Sequence, residues 1–379
     1  MMRKPGGLYV LWRPPARPVD RHPGVGPVMP LIVEPDDHGP YPHPGPGYDF
    51  HARTVSRHLV HRSAVSEVLI TGWHATGPYD FLLGAQWPRV HGFYRLPGDR
   101  HHDPVLLAET VRQAGLLIGH VGFGVPHGHE FALDELCYTL GPAGLDALAV
   151  TAAPASLMLE VGCHDVRMRH GRLASLRVHA EIRRDGRLVG HASGQLRVFS
   201  PVAYARLRGA GNRPAGPWIP DAPTAPELVG RDRAADVVLG PSPVPGSWLL
   251  RADARHPVLF DRDPDHVPGM LVLEAARQAA HRLRHPERVV PVELVSSFNR
   301  FIELDRPCLV RAVREPGTGL GGGAESRRVP VRVLLVQDGR TAAECRLLTE
   351  PADGGAARRD ALDGRPAGPD RDPGLPLAS

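Results

Sequence analysis

Residues 101–126, HHDPVLLAETVRQAGLLIGHVGFGVP, return without a gap as residues 266–291, HVPGMLVLEAARQAAHRLRHPERVVP. Nine positions are identical at this constant spacing: His101/His266, Leu106/Leu271, Glu109/Glu274, Arg112/Arg277, Gln113/Gln278, Ala114/Ala279, His120/His285, Val125/Val290 and Pro126/Pro291. Chance supplies about two identities in such a window, so the chain carries one unit twice.

Each copy of the stretch reads as a helix. Asp103-Pro104 provides an N-cap followed by proline at the first helical position, and Pro268 suits a first turn equally well. Leu106, Leu107, Val111 and Leu117 in one copy, and Met270, Leu271, Leu273 and Ala279 in the other, make each helix apolar enough to lie inside a sheet. The expected spans are 104–120 and 268–284.

Strand-like segments surround both helices. An Asp-Gly pair, Asp185-Gly186 and again Asp338-Gly339, joins two such segments in each copy, as two-residue hairpins require. The hairpins are expected at 172–184/187–199 and 328–337/340–349. Ahead of them stand strands near 64–73, 79–84, 131–140 and 156–165 in the first copy, and near 234–239, 247–254, 293–303 and 308–314 in the second. A longer connection near Gly141 to Ala153 accounts for extra residues in the first copy. One central helix wrapped by a long antiparallel sheet is the hotdog arrangement, so the fold class is α+β, a tandem double hotdog forming an intramolecular pseudo-dimer. The organisation reads as a disordered tail over 1–50, a first repeat over 51–207, a Pro/Gly/Ala-rich linker over 208–230, a second repeat over 231–350 and a disordered tail over 351–379.

Composition removes several classes of function. Lys4 is the only lysine in 379 residues and stands in the N-terminal tail, so no core lysine forms a Schiff base. The formal charge of +4 is spread along the chain without a basic run, and no helix-turn-helix or zinc pattern marks a nucleic-acid binder. Cys137, Cys163, Cys308 and Cys345 are isolated from one another and read as buried thiols of a cytoplasmic protein. No apolar run reaches the ~18 residues that span a membrane. His127 and His129 have no third ligand at suitable spacing, so no metal and no cofactor are expected.

Chemistry is expected on the helices. Glu109, Arg112 and Gln113 stand at i, i+3 and i+4 and share a face, as do Glu274, Arg277 and Gln278. A carboxylate and a guanidinium are costly to bury unless they pair. Two readings account for them: an ion pair that pins the copies together, or a polar spot in an apolar tunnel where a reacting centre lies. The second copy opens on Pro268-Gly269-Met270, where Gly269 admits close approach and its N–H can receive a thioester oxygen, which makes this copy the better candidate for chemistry.

Residues 268–275 resemble the helix start of the hotdog β-hydroxyacyl-carrier-protein dehydratases, although the spacing of His256 and His266 departs from theirs. A closer resemblance, over most of residues 56–350, is to the A-factor biosynthesis hotdog family, the AfsA-like γ-butyrolactone synthases. It rests on His61-Arg62 before Glu67-Val68, on Gln86-Trp87-Pro88-Arg89 with His91, and on His102-Asp103-Pro104 leading into Glu109-x-x-Arg112-Gln113. Val125-Pro126 and Asp265-His266-x-Pro268-Gly269-Met270 leading into Glu274-x-x-Arg277-Gln278 complete the set.

The resemblance implies transfer of a β-ketoacyl group from an acyl carrier protein thioester to dihydroxyacetone phosphate, giving a phosphorylated ester that cyclises to a butenolide, the precursor of a signal controlling secondary metabolism. Glu274 would orient or deprotonate the attacking hydroxyl and Gly269 would hold the oxyanion. Arg277 would either temper Glu274 or face the phosphate or the β-keto oxygen. Glu109 and Arg112 form a second site or a structural remnant. Gln278, Gln113 and His266 are candidates for substrate contact, and Arg89 and His91 either reach the phosphate or lie in a solvated turn. The alternatives are a hotdog thioesterase or dehydratase, and a non-catalytic module that binds acyl chains or carrier protein.

Overall fold

A computed structural model of the chain describes residues 49–98, 100–209, 218–262, 264–316 and 328–352; the tails expected over 1–50 and 351–379 fall almost wholly outside these. The first repeat contributes β1 (Ile70–Ala75), β2 (Asp80–Trp87), α1 (Val105–Val121), β3 (Glu130–Leu140), β4 (Ala155–Arg169), β5 (Arg172–Arg184) and β6 (Arg187–Phe199). After α2 (Pro201–Arg208), the second repeat contributes β7 (Leu239–Pro241), β8 (Ser247–Leu250), α3 (Gly269–Arg284), β9 (Val289–Phe298), β10 (Leu309–Arg314), β11 (Val329–Gln337) and β12 (Arg340–Pro351).

All twelve strands pair antiparallel in one sheet, in the order β1-β2-β4-β5-β6-β3-β9-β12-β11-β10-β8-β7. Read from its two ends the order is the same, each strand of the first repeat matched by its counterpart in the second. The halves meet at β3 and β9, where Leu136 pairs Ser296 and Tyr138 pairs Leu294. Ser296 Oγ donates to the Leu136 carbonyl at 2.5 Å and Tyr138 Oη to the Pro291 carbonyl at 3.1 Å, so side chains reinforce the seam.

The hairpins form as their turn residues demand. Asp185 and Gly186 take φ of 49° and 74°, and Asp338 and Gly339 take 52° and 70°, the left-handed pair that a tight hairpin needs. Period-two burial along β5 (Leu176, Val178, Ala180, Ile182) and β11 (Val331, Val333, Leu335) points one face at the helices. Fifteen residues of α1 and thirteen of α3 are buried, so both are core helices.

Two strand expectations shorten for one physical reason. Val65–Glu67 and Ala234–Asp236 are 3-10 turns ahead of β1 and β7, because a glutamine side chain takes up the backbone groups that a strand would offer to a neighbour. Gln113 accepts from the Leu69 N–H at 2.9 Å and donates to the Glu67 carbonyl at 2.8 Å. Gln278 accepts from the Val238 N–H at 3.0 Å and donates to the Asp236 carbonyl at 2.8 Å. Part of the expected linker is ordered against the second repeat, with the Trp218 N–H on the Leu304 carbonyl at 2.7 Å and the Thr224 N–H on the Leu239 carbonyl at 2.8 Å. The connection over 141–154, expected to be long, contains a 3-10 turn at Gly144–Leu148. No helix among the described residues is long and apolar enough to cross a membrane.

Candidate active site

Each central helix carries a carboxylate held by two arginines and a glutamine. Glu109 accepts from Arg112 at 2.8 Å (Nε to Oε2 and Nη2 to Oε1), from Arg62 Nη2 at 2.5 Å and from Gln113 Nε2 at 2.7 Å. Glu274 accepts from Arg277 at 2.9 and 2.8 Å, from Arg231 at 2.8 and 2.6 Å, and from Gln278 Nε2 at 2.5 Å. Arg62 and Arg231 are site residues that the helix motif alone does not reveal. A repeat signal could have found both: Leu59, Val60, Arg62 and Val68 recur as Leu228, Val229, Arg231 and Val237.

These arginines also join the repeats. Arg62 Nη1 donates to the Val258 carbonyl of the second repeat at 3.0 Å, and Arg231 Nη1 donates to the Phe93 carbonyl of the first at 2.8 Å. Each cluster therefore pins the two repeats together. Burial alone would raise each carboxyl, but the paired guanidiniums outweigh it and hold Glu109 and Glu274 at about 2. Both oxygens of each glutamate are taken up by these donors.

The two clusters differ in access. A cavity of about 810 Å³ lies between the repeats, and Arg62 and Arg112 line it, whereas Glu274, Arg277 and Gln278 do not. Arg112 keeps 15% of its side chain exposed against 2% for Arg277. Gly269, at the start of α3, also lines the cavity, so it shares its surroundings with Arg112 rather than with Glu274, the partner expected from sequence. That expectation fails because α3 begins at one interface between the repeats while Glu274 turns to the other, where the carboxylate is completely buried.

Asp103 is what fills the second interface. Its carboxyl, completely buried, accepts from the Val105 N–H at 3.0 Å and lies 3.7 Å from Arg277 and 3.9 Å from Arg231. Burial raises its pKa against the pull of those two guanidiniums. The equivalent position beside the cavity is Pro268, which has no carboxyl to offer.

His61, beside Arg62 ahead of Glu67-Val68 in the sequence, stands in the cavity wall. His120 Nδ1 contacts the Val125 carbonyl at 2.7 Å, and a carbonyl only accepts, so that nitrogen carries the proton of neutral His120. His120 Nε2 is then an acceptor for His61 Nε2–H at 2.9 Å. Arg262 Nη1, which only donates, meets His61 Nδ1 at 3.3 Å, which fixes the same tautomer independently. Burial first, then Arg262, His120, Arg112 and His127, lowers the imidazole to about 2, so it is neutral with a lone pair on Nδ1.

The remaining candidates are placed as follows. Both N–H bonds of the Gln113 and Gln278 amides are spent on carboxylate and backbone. His91 is buried, with Nδ1 accepting from the Phe93 and Tyr94 N–H groups, and it organises a turn. Arg89 is exposed and donates to the Thr151 carbonyl at 3.2 Å. Neither of these two lines the cavity, so the expectation of phosphate contact is not met there. His266 does line it, with Nδ1 2.6 Å from Asp265. Leu133, Met270, Val272, Phe298 and Ala343 give the same cavity an apolar part of its lining. Among the described residues no group of three or more His, Cys, Asp or Glu side chains is arranged to hold a metal.

Comparison with known proteins gives a consistent picture. The profile of the A-factor biosynthesis hotdog domain matches residues 47–200 and 220–353. The chain is 40% identical over 299 residues to the 2-oxo-3-(phosphooxy)propyl 3-oxoalkanoate synthase of Streptomyces virginiae, covering 79% of this chain and 98% of that one. It is 41% identical over 289 residues to the synthase of the same name from Streptomyces griseus, covering 76% and 92%. Among solved structures, a bifunctional dehydratase-cyclase domain in ambruticin biosynthesis aligns at TM-score 0.41 and 16% identity, covering 78% of this chain and 99% of that one.

Proposed function

Because the chain belongs to the A-factor biosynthesis hotdog family, we propose that it condenses a β-ketoacyl thioester with dihydroxyacetone phosphate to give a 2-oxo-3-(phosphooxy)propyl 3-oxoalkanoate, the ester named by its 40%-identical relatives. The donor is a thioester of acyl carrier protein, and the reaction proceeds in the cytoplasm, a setting with which four unpaired cysteines agree. The phosphorylated ester is the precursor of a γ-butyrolactone-type signal.

The observation that carries this reading is the mixed lining of the cavity: apolar side chains suited to an acyl chain, and guanidinium groups with a neutral histidine suited to a polar acceptor. The acyl chain lies against Leu133, Met270 and Val272, and the Gly269 N–H, at an N-terminus without a side-chain cap, receives the thioester oxygen. The acceptor hydroxyl donates a hydrogen bond to His61 Nδ1, which orients its oxygen as that oxygen bonds to the acyl carbon. The carbon–sulfur bond then breaks, and the hydroxyl proton passes to the departing thiolate. Glu109 holds Arg112 in place, while Glu274 and Arg277 serve the buried, structural counterpart of this site.

Mass spectrometry of the protein incubated with a β-ketoacyl thioester, with and without dihydroxyacetone phosphate, tests the reading. Phosphorylated ester formed only in the presence of the acceptor is expected. Free β-keto acid in both incubations would make the protein a thioesterase, and no turnover by folded protein across several chain lengths would make it a binding module.

A further inference from the structure

The internal symmetry of the site locates a place for an anion. In the buried half, Arg231 and Arg277 face the carboxyl groups of both Glu274 and Asp103. In the open half Arg62 and Arg112 face Glu109, but the counterpart of Asp103 is Pro268. A further cation is added there, since Arg262 lines the cavity where the first repeat has Pro97. Among the described residues the one carboxylate within 4 Å of Arg262 is Glu130, at 3.8 Å, and Arg62 also has Asp261 at 4.0 Å. Asp261 is itself engaged by the Ser63 and Ala64 N–H groups at 2.6 and 2.9 Å. The open half has therefore lost an internal carboxyl and gained a guanidinium that faces an accessible space.

We propose that the phosphate group of the acceptor seats in the cavity against the guanidinium groups of Arg112 and Arg262, on the side of the molecule that lacks a counterpart of the Asp103 carboxyl. This rests on the acyl-transfer reading for the identity of the phosphate ester, while the anion site itself rests on the geometry. Seating the phosphate draws Arg262 off His61 Nδ1, which frees that lone pair for the acceptor hydroxyl. Two guanidiniums suit a phosphate monoester, whose oxygens accept several charge-assisted hydrogen bonds at once.

Calorimetric titration with dihydroxyacetone phosphate and with dihydroxyacetone, in the absence of any thioester, tests the site independently of turnover. Wild-type protein is expected to bind the phosphate ester and to bind the phosphate-free ketone at least tenfold more weakly. Arg262→Gln is expected to weaken phosphate-ester binding roughly 10- to 100-fold, the loss of one charge-assisted contact. Pro268→Asp reinstates in the open half the carboxyl that the buried half carries, at an N-cap position that favours aspartate, and is expected to weaken phosphate-ester binding in a folded protein. Arg197→Gln, which removes a cavity cation already paired with Asp134 at 2.7 Å, is the control expected to leave binding unchanged.

Equal binding of the two ketones, or unchanged affinity in Arg262→Gln, overturns the proposal. The prosthetic arm of a carrier protein also bears a phosphate, so pantetheine 4′-phosphate is titrated in parallel; if that ligand is the one whose affinity Arg262→Gln reduces, the proposal is likewise overturned. If no ester forms from any thioester yet Arg262→Gln still abolishes the selective binding, the phosphate site stands and the acyl-transfer reading falls.

Discussion

His61 occupies, at φ 53°, the backbone position that Gly230 occupies at φ 68° in the other repeat, each the left-handed residue that ends a 3-10 turn. Glycine takes that conformation freely, whereas a histidine there is strained by roughly 1–3 kcal/mol. The imidazole stands in the cavity wall, and at Gly230 a Cβ would meet the His281 ring at 2.7 Å. The repeat that faces the cavity thus holds a side chain where its twin has none.

His61→Gly separates that side chain's chemistry from the fold. Relief of the left-handed strain opposes the greater freedom of glycine in the unfolded chain, and the contact to His120 is lost, so stability should change by no more than about 1 kcal/mol. Loss of the hydrogen-bond acceptor that orients the hydroxyl should lower kcat about 10²-fold. Denaturant unfolding and steady-state kinetics on the same preparation decide the matter; a variant with full kcat removes His61 from the mechanism.

The two buried carboxylates should differ in what they control. Removing either leaves two guanidiniums without a counter-charge, so Glu109→Ala and Glu274→Ala should each destabilise the protein by roughly 3–5 kcal/mol in urea unfolding. Activity should divide them. Glu109→Gln should depress kcat by releasing Arg112, while Glu274→Gln should keep kcat within a few-fold of wild type in whatever fraction is folded. The opposite order would return the chemistry to the second helix.

Acid should expose the same pair. Both carboxyls are held at about 2, below the ordinary glutamate value of 4.5. A depressed pKa in the folded state gives stability that is fully present above the ordinary value and is lost as pH falls from 4.5 towards 2. Unfolding free energy measured across that window should fall, for these two groups, by as much as about 1.4 kcal/mol per pH unit per proton. The Glu109→Gln/Glu274→Gln double variant should be less stable near neutrality but show a shallower slope in acid. An unchanged slope would place the linked protons elsewhere.

Acyl-chain length should be set by the apolar part of the cavity lining. Val272 is 2% exposed and lines the cavity, so Val272→Phe should shorten the chain that fits. Each methylene excluded is worth about 0.8 kcal/mol, or roughly fourfold in kcat/KM. Competition between donors of different length should show the preference moving to shorter chains, and an unchanged preference would mean that the chain lies along another wall.

Much of this was already legible in the linear sequence. The duplication, the two central helices, the Asp-Gly hairpins and the paired Glu-x-x-Arg-Gln faces follow from short-range rules, because periodicity, turn chemistry and an ungapped repeat depend on residues near one another in the chain. Three features needed the tertiary structure. Arg62 and Arg231 become site residues only when the chain folds back and brings them from 47 and 43 positions away onto the carboxylates. The 3-10 turns take the opening residues of the first expected strand of each repeat because distant glutamine side chains bind the backbone groups there.

The motif is identical in both helices, and Gly269 made the second the better candidate in the sequence, whereas the cavity adjoins the cluster of the first. Sequence determined that there would be two equivalent carboxylate–arginine clusters. Tertiary structure decided which of them faces a cavity, because access is fixed by what the other repeat places against each cluster: a buried Asp103 carboxyl on one side, and Pro268, Gly269 and Arg262 around an open space on the other. Burial and the pairing of charge across an interface are relations between segments far apart in the chain, and they come into being only when the two repeats pack together.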